Sequence, residues 1–408
     1  MSLRRCIILG MALYLSAGAS VLDAQVVAGP LSDVNIHLRG PFQNARLRFE
    51  REKKGHVAFI GGSITEMNGY RPKVMAVLGR RFPETEFTFT DAGVASTCST
   101  TGAFRLHDDV LSQGPVDLFF VEFAVNDDQD AHHAYRECLR GMEGIVRHTR
   151  RHNPRADIVI VYFINPGMLD TWQSGQAPLS VRAHDEVARH YGIATINLAR
   201  ETAEQIKAGT LTWKQYGGTH PGPIGNTLCA TMIDRLMSLA WDEPIPMGFG
   251  PRDHSTPKAL DSHSYFHGRL IAPGKAEVSR DMVVQTPDWS KLKGACRQRF
   301  AKLSLLCAEK PGAELTLAFE GTAVGAYVLA GPDAGIATVS IDGAPAKAVN
   351  LFHDFSTGLH YPRTVMFDAD LEPGKHVLRL RISDDKDARS SGYAMRVLHF
   401  VENPSPRP

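Results

Sequence analysis

Four short segments of this 408-residue chain carry residue types that together can cleave an ester by nucleophilic attack. A serine hydroxyl can act as the nucleophile, glycine and asparagine amides can stabilise the negative oxygen of a tetrahedral intermediate, and a histidine can act as the base. Each residue type is common, so the order and the distinct contexts of the segments point to a shared site. They are Gly61-Gly62-Ser63-Ile64-Thr65, Asp91-Ala92-Gly93, Val125-Asn126-Asp127 and Thr219-His220-Pro221.

Ser63 follows the apolar run 56–60 and precedes a helical pattern, which predicts a tight turn from a strand into a helix. Ligands of open α/β sheets bind at the carboxyl ends of the strands. A serine nucleophile needs a base that takes its proton and later protonates the leaving alcohol. His220, in a loop that enters a helix, is the candidate, although on its own it would be interpreted as a surface loop histidine.

The four segments, in this order, resemble the blocks of the SGNH (GDSL-type) esterase and lipase family, named for the Ser, Gly, Asn and His that the blocks carry. The resemblance covers residues 50–242. It implies that Ser63 and His220 are catalytic. It also implies an oxyanion hole made of the backbone N–H groups of Ser63 and Gly93 and the side-chain amide of Asn126. Taken alone, Gly93 is equally a turn glycine after a strand, and Asn126 an ordinary helix cap.

The last block departs from the family pattern, which has an aspartate three residues before the histidine to orient the imidazole. Gly217 occupies that position, so the resemblance implies a Ser–His dyad in which His220 is oriented by a backbone carbonyl or by a carboxylate from elsewhere. The third block also begins with Ala124 where the family usually has glycine. Three acidic residues after Asn126 are candidates for the carboxylate, although a solvated acidic loop is the simpler interpretation: Asp127, Asp128 and Asp130.

No cofactor and no metal ion are predicted. The runs His107-Asp108-Asp109 and 128–133 contain metal-ligand types, but their spacing is not diagnostic of a metal site. The chemistry of the SGNH family needs no metal.

Two domains are predicted from the hydrophobic pattern. Apolar runs alternate with amphipathic helical patterns up to residue 242, which predicts a three-layer α/β sandwich with a parallel sheet. With the resemblance, this implies a flavodoxin-like SGNH hydrolase domain over residues 30–242. The Pro- and Gly-rich segment 243–273 is predicted to be a linker. From 274 to 402 the period becomes two, which predicts an antiparallel β-sandwich accessory domain.

The N-terminus has the pattern of a signal peptide, assigned to residues 1–24: basic residues, an apolar stretch, then small residues. The apolar stretch 6–17 is shorter than the ~20 residues that a membrane-spanning helix needs. We therefore expect a secreted or periplasmic protein without a membrane span after cleavage. The net charge of +1, with no long run of one sign, argues against nucleic acid as a partner.

Five of the six cysteines follow the leader, and an odd number leaves at least one free thiol or an intermolecular pair. Cys296 and Cys307 are close in sequence and form the disulfide that we expect first. Buried reduced cysteines are the alternative.

The sequence thus predicts a secreted serine esterase that hydrolyses short acyl esters, above all acetyl groups, on a carbohydrate. The accessory sandwich and the absence of a long apolar lid favour a sugar ester over a lipid. The sandwich is expected to target polymeric glycan and to be dispensable for small esters. Three alternatives stay open: a lipase or lysophospholipase of the same fold, a glycan-binding protein whose esterase site has decayed, and a glycosidic-bond-cleaving protein on the same scaffold.

Overall fold

The computed structural model describes residues 31–404, in two domains that pack on each other. The predicted signal peptide, residues 1–24, lies outside the described residues. Between residues 31 and 404 no helix has the length and the apolar character that crossing a bilayer requires.

Six strands form the sheet of the N-terminal domain: β1 (Ile36–His37), β2 (Lys54–Gly61), β3 (Glu86–Gly93), β4 (Leu118–Glu122), β5 (Asp157–Val161) and β6 (Ala194–Ile196). Their spatial order is β1-β6-β5-β4-β2-β3, and all neighbours are parallel except the short edge strand β1, which is antiparallel to β6. Strands β4 and β5 are buried at every residue, as expected where helices cover both faces. Counted from β2, the parallel strands have the 2-1-3-4-5 order of flavodoxin-like folds, which confirms the predicted fold class.

Ten α-helices of this domain flank the sheet: α1 (Asn44–Leu47), α2 (Ser63–Glu66), α3 (Tyr70–Arg81), α4 (Ser99–Asp109), α5 (Tyr135–His152), α6 (Pro166–Gln173), α7 (Leu179–His190), α8 (Leu198–Lys207), α9 (Trp213–Tyr216) and α10 (Pro223–Trp241). Helices α4, α5 and α7 pack side by side, and α3 packs on α10. Two single π-turns lie in the connections between these elements: Arg48–Glu52 between α1 and β2, and Asn126–Asp130 between β4 and α5. Short 3₁₀ turns lie at Asp33–Asn35 and Leu111–Gln113.

The C-terminal domain holds eleven strands and one short helix: β7 (Arg269–Ile271), β8 (Glu277–Val278), β9 (Met282–Gln285), α11 (Gln298–Ala301), β10 (Leu305–Ala308), β11 (Glu314–Glu320), β12 (Val324–Ala330), β13 (Ile336–Ile341), β14 (Lys347–Asn350), β15 (Tyr361–Asp368), β16 (Lys375–Ile382) and β17 (Met395–Glu402). One sheet has the order β15-β12-β17-β10-β9 with β7 paired to β17, and the other has the order β14-β13-β16-β11-β8. Every pairing in both sheets is antiparallel. The period-two pattern therefore correctly predicted a β-sandwich, because alternate side chains of strands such as β16 face the core between the sheets.

The apolar core of the N-terminal domain extends into the sandwich, which also has a core of its own between its two sheets. Phe300, Tyr327 and Leu398 of the sandwich belong to the same buried cluster as the strands and helices of the N-terminal domain. Hydrogen bonds also cross the interface, for example from Thr101 Oγ1 to Thr364 Oγ1 at 2.9 Å. The sandwich is thus a packing partner of the hydrolase domain.

The segment 243–273, predicted as a linker, is anchored to the N-terminal domain over part of its length. The buried carboxylate of Glu143 accepts hydrogen bonds from the N–H of Leu260 at 2.7 Å and from the hydroxyl of Ser264 at 2.6 Å. Strand β7 begins at Arg269, inside this segment, and pairs with β17. The first strand of the sandwich therefore precedes the predicted boundary at residue 274.

The expected disulfide between Cys296 and Cys307 is wrong, since all five cysteines of residues 31–404 are free thiols. Cys307 is buried in β10, where its thiol donates to the carbonyl of Leu305 at 3.6 Å, and Cys296 donates to the carbonyl of Arg297. Proximity in sequence did not bring the two sulfurs together because one is held within a sheet and the other in the loop before α11. The alternative of reduced cysteines is confirmed.

Candidate active site

Ser63 is the first residue of α2 and directly follows the turn that ends β2, as the sequence predicts. This turn requires glycine at positions 61 and 62, because a side chain at either would collide with a neighbouring residue. A Cβ on Gly61 would lie 2.3 Å from Glu122 Oε1, and a Cβ on Gly62 would lie 2.1 Å from Asn126 Oδ1. The half-buried Ser63 therefore stands beside the end of β4, with its backbone N–H unpartnered among residues 31–404.

His220 meets Ser63 across the mouth of the sheet. Its Nε2 lies 2.8 Å from Ser63 Oγ, within hydrogen-bond distance. The loop between α9 and α10 holds the histidine, and Asn226 of α10 ties this loop by donating to the carbonyl of Pro221 at 2.5 Å. A loop fastened in this way keeps the exposed imidazole over the hydroxyl.

No carboxylate supports His220 in the described part of the chain, where its Nδ1 has no hydrogen-bond partner and the ring forms no ion pair. Gly217 shows why the usual aspartate is missing. Its φ is +109°, and a Cβ at this position would lie 1.9 Å from the backbone nitrogen of Gly222. The turn before His220 thus excludes any side chain at 217. Within residues 31–404, no backbone carbonyl, the other orienting group expected from the sequence, lies within hydrogen-bond distance of Nδ1 either.

Asn126 is 2% exposed and begins the π-turn Asn126–Asp130 beside Gly62. Its side-chain nitrogen donates to the carboxylate of Asp130, which orients the amide, while its Oδ1 has no partner among residues 31–404. Burial raises the pKa of Asp130 above its usual range, against the opposing effect of the Asn126 hydrogen bond. One N–H of the Asn126 amide is left for a ligand near Ser63.

Gly93, the predicted second amide donor, is engaged in this structure. Its N–H donates to Asp91 Oδ1 at 3.0 Å. A Cβ on Gly93 would lie 2.3 Å from the backbone nitrogen of Glu66, so the close approach of α2 itself requires a glycine here. Arg71, at the start of α3, forms an ion pair with the other Asp91 oxygen at 2.7 Å.

The interpretation of residues 127–130 as a solvated acidic loop is wrong for two of its three aspartates, since Asp127 is 0% and Asp130 7% exposed. Asp127 accepts from the N–H and the hydroxyl of Ser99 at 2.8 and 2.6 Å, and lies 2.9 Å from His184 Nε2. Its pKa is held well below its usual range by His133 and His184, which outweigh burial. Asp128 accepts from Asn165 at 2.8 Å. The π-turn Asn126–Asp130 buries the side chains of Asp127 and Asp130. The hydrophobic pattern of the sequence does not predict such a turn.

One group of possible metal ligands lies within the described residues: Cys98, Asp127 and His133, whose ligand atoms lie within 4.8 Å of one another. The Asp127 oxygens are already used by Ser99 and His184. Asp127 therefore connects α4 and α7 through hydrogen bonds. Of the two sequence runs with metal-ligand residue types, 107–109 and 128–133, only His133 belongs to this group.

Glu122 is a buried residue of the site that the sequence analysis missed. Its Oε1 accepts from the N–H of Gly62 at 3.0 Å and from the hydroxyl of Thr65 at 2.8 Å, and Thr65 Oγ1 lies 3.1 Å from the hydroxyl of Tyr70. Burial raises the pKa of Glu122 to about 8. A charged residue at the end of an otherwise apolar buried strand was the available signal.

The sandwich reaches the loop that follows β3. Arg299 donates to the carbonyl of Gly93 at 2.8 Å and to Glu66 Oε1 at 2.5 Å. Arg297 donates to Ser96 Oγ at 2.8 Å. No local pattern predicts these contacts, because the partners are about two hundred residues apart in the chain.

A cavity of about 210 Å³ lies where this loop meets the sandwich. Ser96 and Asp130 line it from the hydrolase domain, and Tyr361 and Arg363 line it from the sandwich. Asp130, which accepts a hydrogen bond from the Asn126 amide, thus lies at a cavity that both domains bound.

Comparison with known proteins agrees with this geometry. Residues 59–228 match the GDSL-like Lipase/Acylhydrolase family. The structure resembles that of a two-domain esterase (CEX) active on acetylated mannans, alone and co-crystallised with mannopentaose. In both cases the TM-score is 0.74, with 20% identity over 93% of this chain and 100% of that chain. No curated protein sequence matches the chain.

The N-terminal domain is therefore a GDSL-like lipase/acylhydrolase domain, and the protein is by class a carboxylic ester hydrolase. The similarity to the two-domain esterase extends over both domains and shows that the hydrolase-plus-sandwich architecture is shared.

Proposed function

We propose that this protein is an exported serine esterase that removes short acyl groups, above all acetyl, from a carbohydrate. The observation that carries the proposal is the 2.8 Å approach of His220 Nε2 to Ser63 Oγ at the carboxyl end of β2, inside a GDSL-like domain. This is the distance at which an imidazole can take the proton of a hydroxyl nucleophile.

The reaction follows from these positions. Ser63 Oγ attacks the ester carbonyl as His220 Nε2 accepts its proton, and the negative oxygen that forms is met by the N–H of Ser63 and the amide of Asn126. Collapse expels the sugar hydroxyl, which takes the proton from His220. Water, deprotonated by the same imidazole, then attacks the acyl-serine, and the acid and free Ser63 are released.

His220 performs both proton transfers without a carboxylate partner in this proposal. Since Gly217 excludes an aspartate, the exposed imidazole keeps its position through the fastened loop, and its Nδ1 has no hydrogen-bond partner among residues 31–404. A dyad of this kind stabilises the imidazolium less than a triad does, because no negative charge lies at Nδ1.

The carbohydrate part of the proposal is supported by the shared two-domain architecture. The matching esterase acts on acetylated mannans and was crystallised with mannopentaose. Export is supported by the signal-peptide pattern of residues 1–24.

The test is acetate release from acetylated glucomannan, acetylated xylan and 4-nitrophenyl acetate by the mature protein, compared with Ser63→Ala. We expect release by the wild type and at least a thousandfold loss in Ser63→Ala, on the scale of removing a catalytic serine, with an unchanged unfolding midpoint. Equal rates for the two proteins would rule out the serine mechanism. Hydrolysis of long-chain acyl esters in preference to all acetylated glycans would favour the lipase alternative.

A further inference from the structure

Cys98, Asp127 and His133 place a sulfur, an oxygen and a nitrogen close together beside the interdomain cavity. The three ligand atoms lie within 4.8 Å of one another. The exposed fraction is 5% for Cys98, 0% for Asp127 and 13% for the His133 side chain. The N–H of His133 donates to the carbonyl of Asp127 at 2.9 Å, which folds residue 133 back onto residue 127. Three different types of metal ligand therefore converge in a largely buried space.

Hydrogen bonds do not account for the position of the His133 ring. Its Nδ1 is buried and has no hydrogen-bond partner among residues 31–404. It lies 3.6 Å from Asp127 Oδ1, beyond the ~2.7–3.2 Å of an N–H···O hydrogen bond. Nitrogen and oxygen ligands of a tetrahedral zinc ion, each ~2.0–2.2 Å from the metal, lie about 3.3–3.5 Å apart. The observed separation is thus close to that of two ligands of one ion.

The carboxylate of Asp127 is already oriented by buried neighbours. Its Oδ1 accepts from the N–H of Ser99 at 2.8 Å, and its Oδ2 accepts from the Ser99 hydroxyl at 2.6 Å and lies 2.9 Å from His184 Nε2. Ser99 and His184 are both 0% exposed. Because each carboxylate oxygen has two lone pairs, Oδ1 keeps one for a further partner. Carboxylates that bind metals are held by such outer hydrogen bonds.

We infer that Cys98 Sγ, Asp127 Oδ1 and His133 Nδ1 bind one zinc ion, with a water molecule as the fourth ligand. The cavity of about 210 Å³ is lined by Cys98 and His133 and gives the ion and the water access. The ion joins the N-terminal end of α4 to the connection between β4 and α5, which also carries Asn126. This site is structural, and the inference does not depend on the proposed function.

The charges of the group suit a divalent ion. On binding, Zn²⁺ replaces the thiol proton of Cys98, which is released to solvent, while His133 binds as a neutral imidazole and Asp127 as a carboxylate. Two negative ligands and one dication leave no net charge, which avoids the cost of burying an unpaired charge. The thiolate and the imidazole favour zinc over calcium and magnesium, which prefer oxygen ligands.

The test uses the full chain without an affinity tag, kept reduced, freed of metal by a chelator and then titrated with Co²⁺ in place of Zn²⁺. We expect one Co²⁺ per chain, a thiolate-to-cobalt charge-transfer band in the near ultraviolet and the intense visible bands of tetrahedral Co²⁺. Zn²⁺ should displace all of them. The wild-type protein is sufficient for this experiment. Absence of binding, or binding without the thiolate band, would overturn the inference.

Variants then identify the ligands. Cys98→Ser and His133→Gln keep the size and polarity of the side chains, and circular dichroism and gel filtration check their folding. Zinc affinity is measured by competition with a chromophoric chelator. We expect each variant to bind Zn²⁺ at least ~100-fold more weakly, since loss of a hydrogen-bond partner of a ligand already costs ~10–100-fold. Cys98→Ser should also lose the thiolate band. Wild-type affinity in either folded variant contradicts the assignment.

Two controls separate this site from its neighbours. Cys138 is buried in α5, and its thiol donates to the carbonyl of His133 at 3.8 Å, so Cys138→Ser should keep the band and the affinity. Loss of the band in Cys138→Ser alone assigns the sulfur to the wrong helix. His220→Gln should bind Zn²⁺ as the wild type does. If His220→Gln loses binding while Cys98→Ser retains it, the ion belongs to the esterase site and the inference fails.

Discussion

A Cβ atom on Gly217 would lie 1.9 Å from the backbone nitrogen of Gly222, so the turn before His220 has no space for the aspartate that members of the resembled family have at this point. The loss of that carboxylate is therefore built into the backbone. Gly217 has φ +109°, and Gly222 donates its N–H to the carbonyl of Tyr216 at 2.8 Å, which closes the turn.

Restoring the aspartate should fail. Gly217→Asp is expected to lower the stability by several kcal/mol, above the ~1–3 kcal/mol that an unfavourable positive φ alone costs, and not to raise kcat. Gly218→Asp is the control, because Gly218 also has a positive φ, +89°, but nothing lies within 4 Å of its Cβ position. Thermal unfolding and kcat with 4-nitrophenyl acetate are measured for both. A faster and equally stable Gly217→Asp would show that the turn can rearrange.

Asp130 and Asp128 should differ although they are two residues apart. Asp130 orients the Asn126 amide, so Asp130→Asn is expected to lower kcat about tenfold, the effect of ~1.4 kcal/mol in the transition state, with KM little changed. Asp128→Asn, which alters a contact to Asn165, should leave most of the activity. The interpretation of these aspartates as a solvated acidic loop would make both changes mild. A loss of a thousandfold or so in Asp130→Asn would instead indicate a relocated triad with His220.

Removal of the sandwich should abolish activity on small esters as well as on glycan. A chain ending at Asp242 exposes the core that Phe300 and Tyr327 cover and loses the arginine contacts to the loop after β3. We expect insoluble or unfolded protein, judged by circular dichroism and gel filtration. This replaces the expectation from sequence that the hydrolase domain works alone. A soluble, folded and active 25–242 fragment would restore it.

A milder test keeps the sandwich. Arg299→Met removes the hydrogen bonds to Gly93 and Glu66 and is expected to lower kcat several-fold with 4-nitrophenyl acetate. Arg379→Met, on an exposed position of β16, is the matched control and should have no effect. Equal rates for the two variants would show that this contact does not support the site.

Glu122 should make stability depend on pH. Burial raises its pKa from 4.5 in the unfolded chain to about 8 in the folded protein, so between these values the folded state binds the additional proton. Stability therefore falls as pH rises through this window, by up to about 1.4 kcal/mol per pH unit. Glu122→Gln keeps the acceptor for Gly62 and Thr65 but cannot ionise, so its stability should fall less between pH 5 and pH 8. Parallel curves from urea unfolding at several pH values would refute this.

The sequence by itself determined the fold class and the candidate nucleophile and base. Period and composition distinguish a buried parallel sheet from a sandwich, and Ser63 and His220 each lie in a local context, a strand-to-helix turn and a loop before a helix, that adjacent residues specify. The glycine at 217 could likewise be recognised from the chain alone. These features depend on residues that are neighbours in sequence, so the local sequence pattern is sufficient to predict them.

Only the tertiary structure decided which polar groups are buried, paired or free. It left Cys296 and Cys307 unbonded, and it anchored the segment before β7 to Glu143. It also brought Arg297 to Ser96 and engaged the amide of Gly93. Every residue except proline carries the same backbone N–H, so no residue type in the sequence marks an amide as free. Its availability depends on acceptors that distant parts of the chain place beside it or withhold.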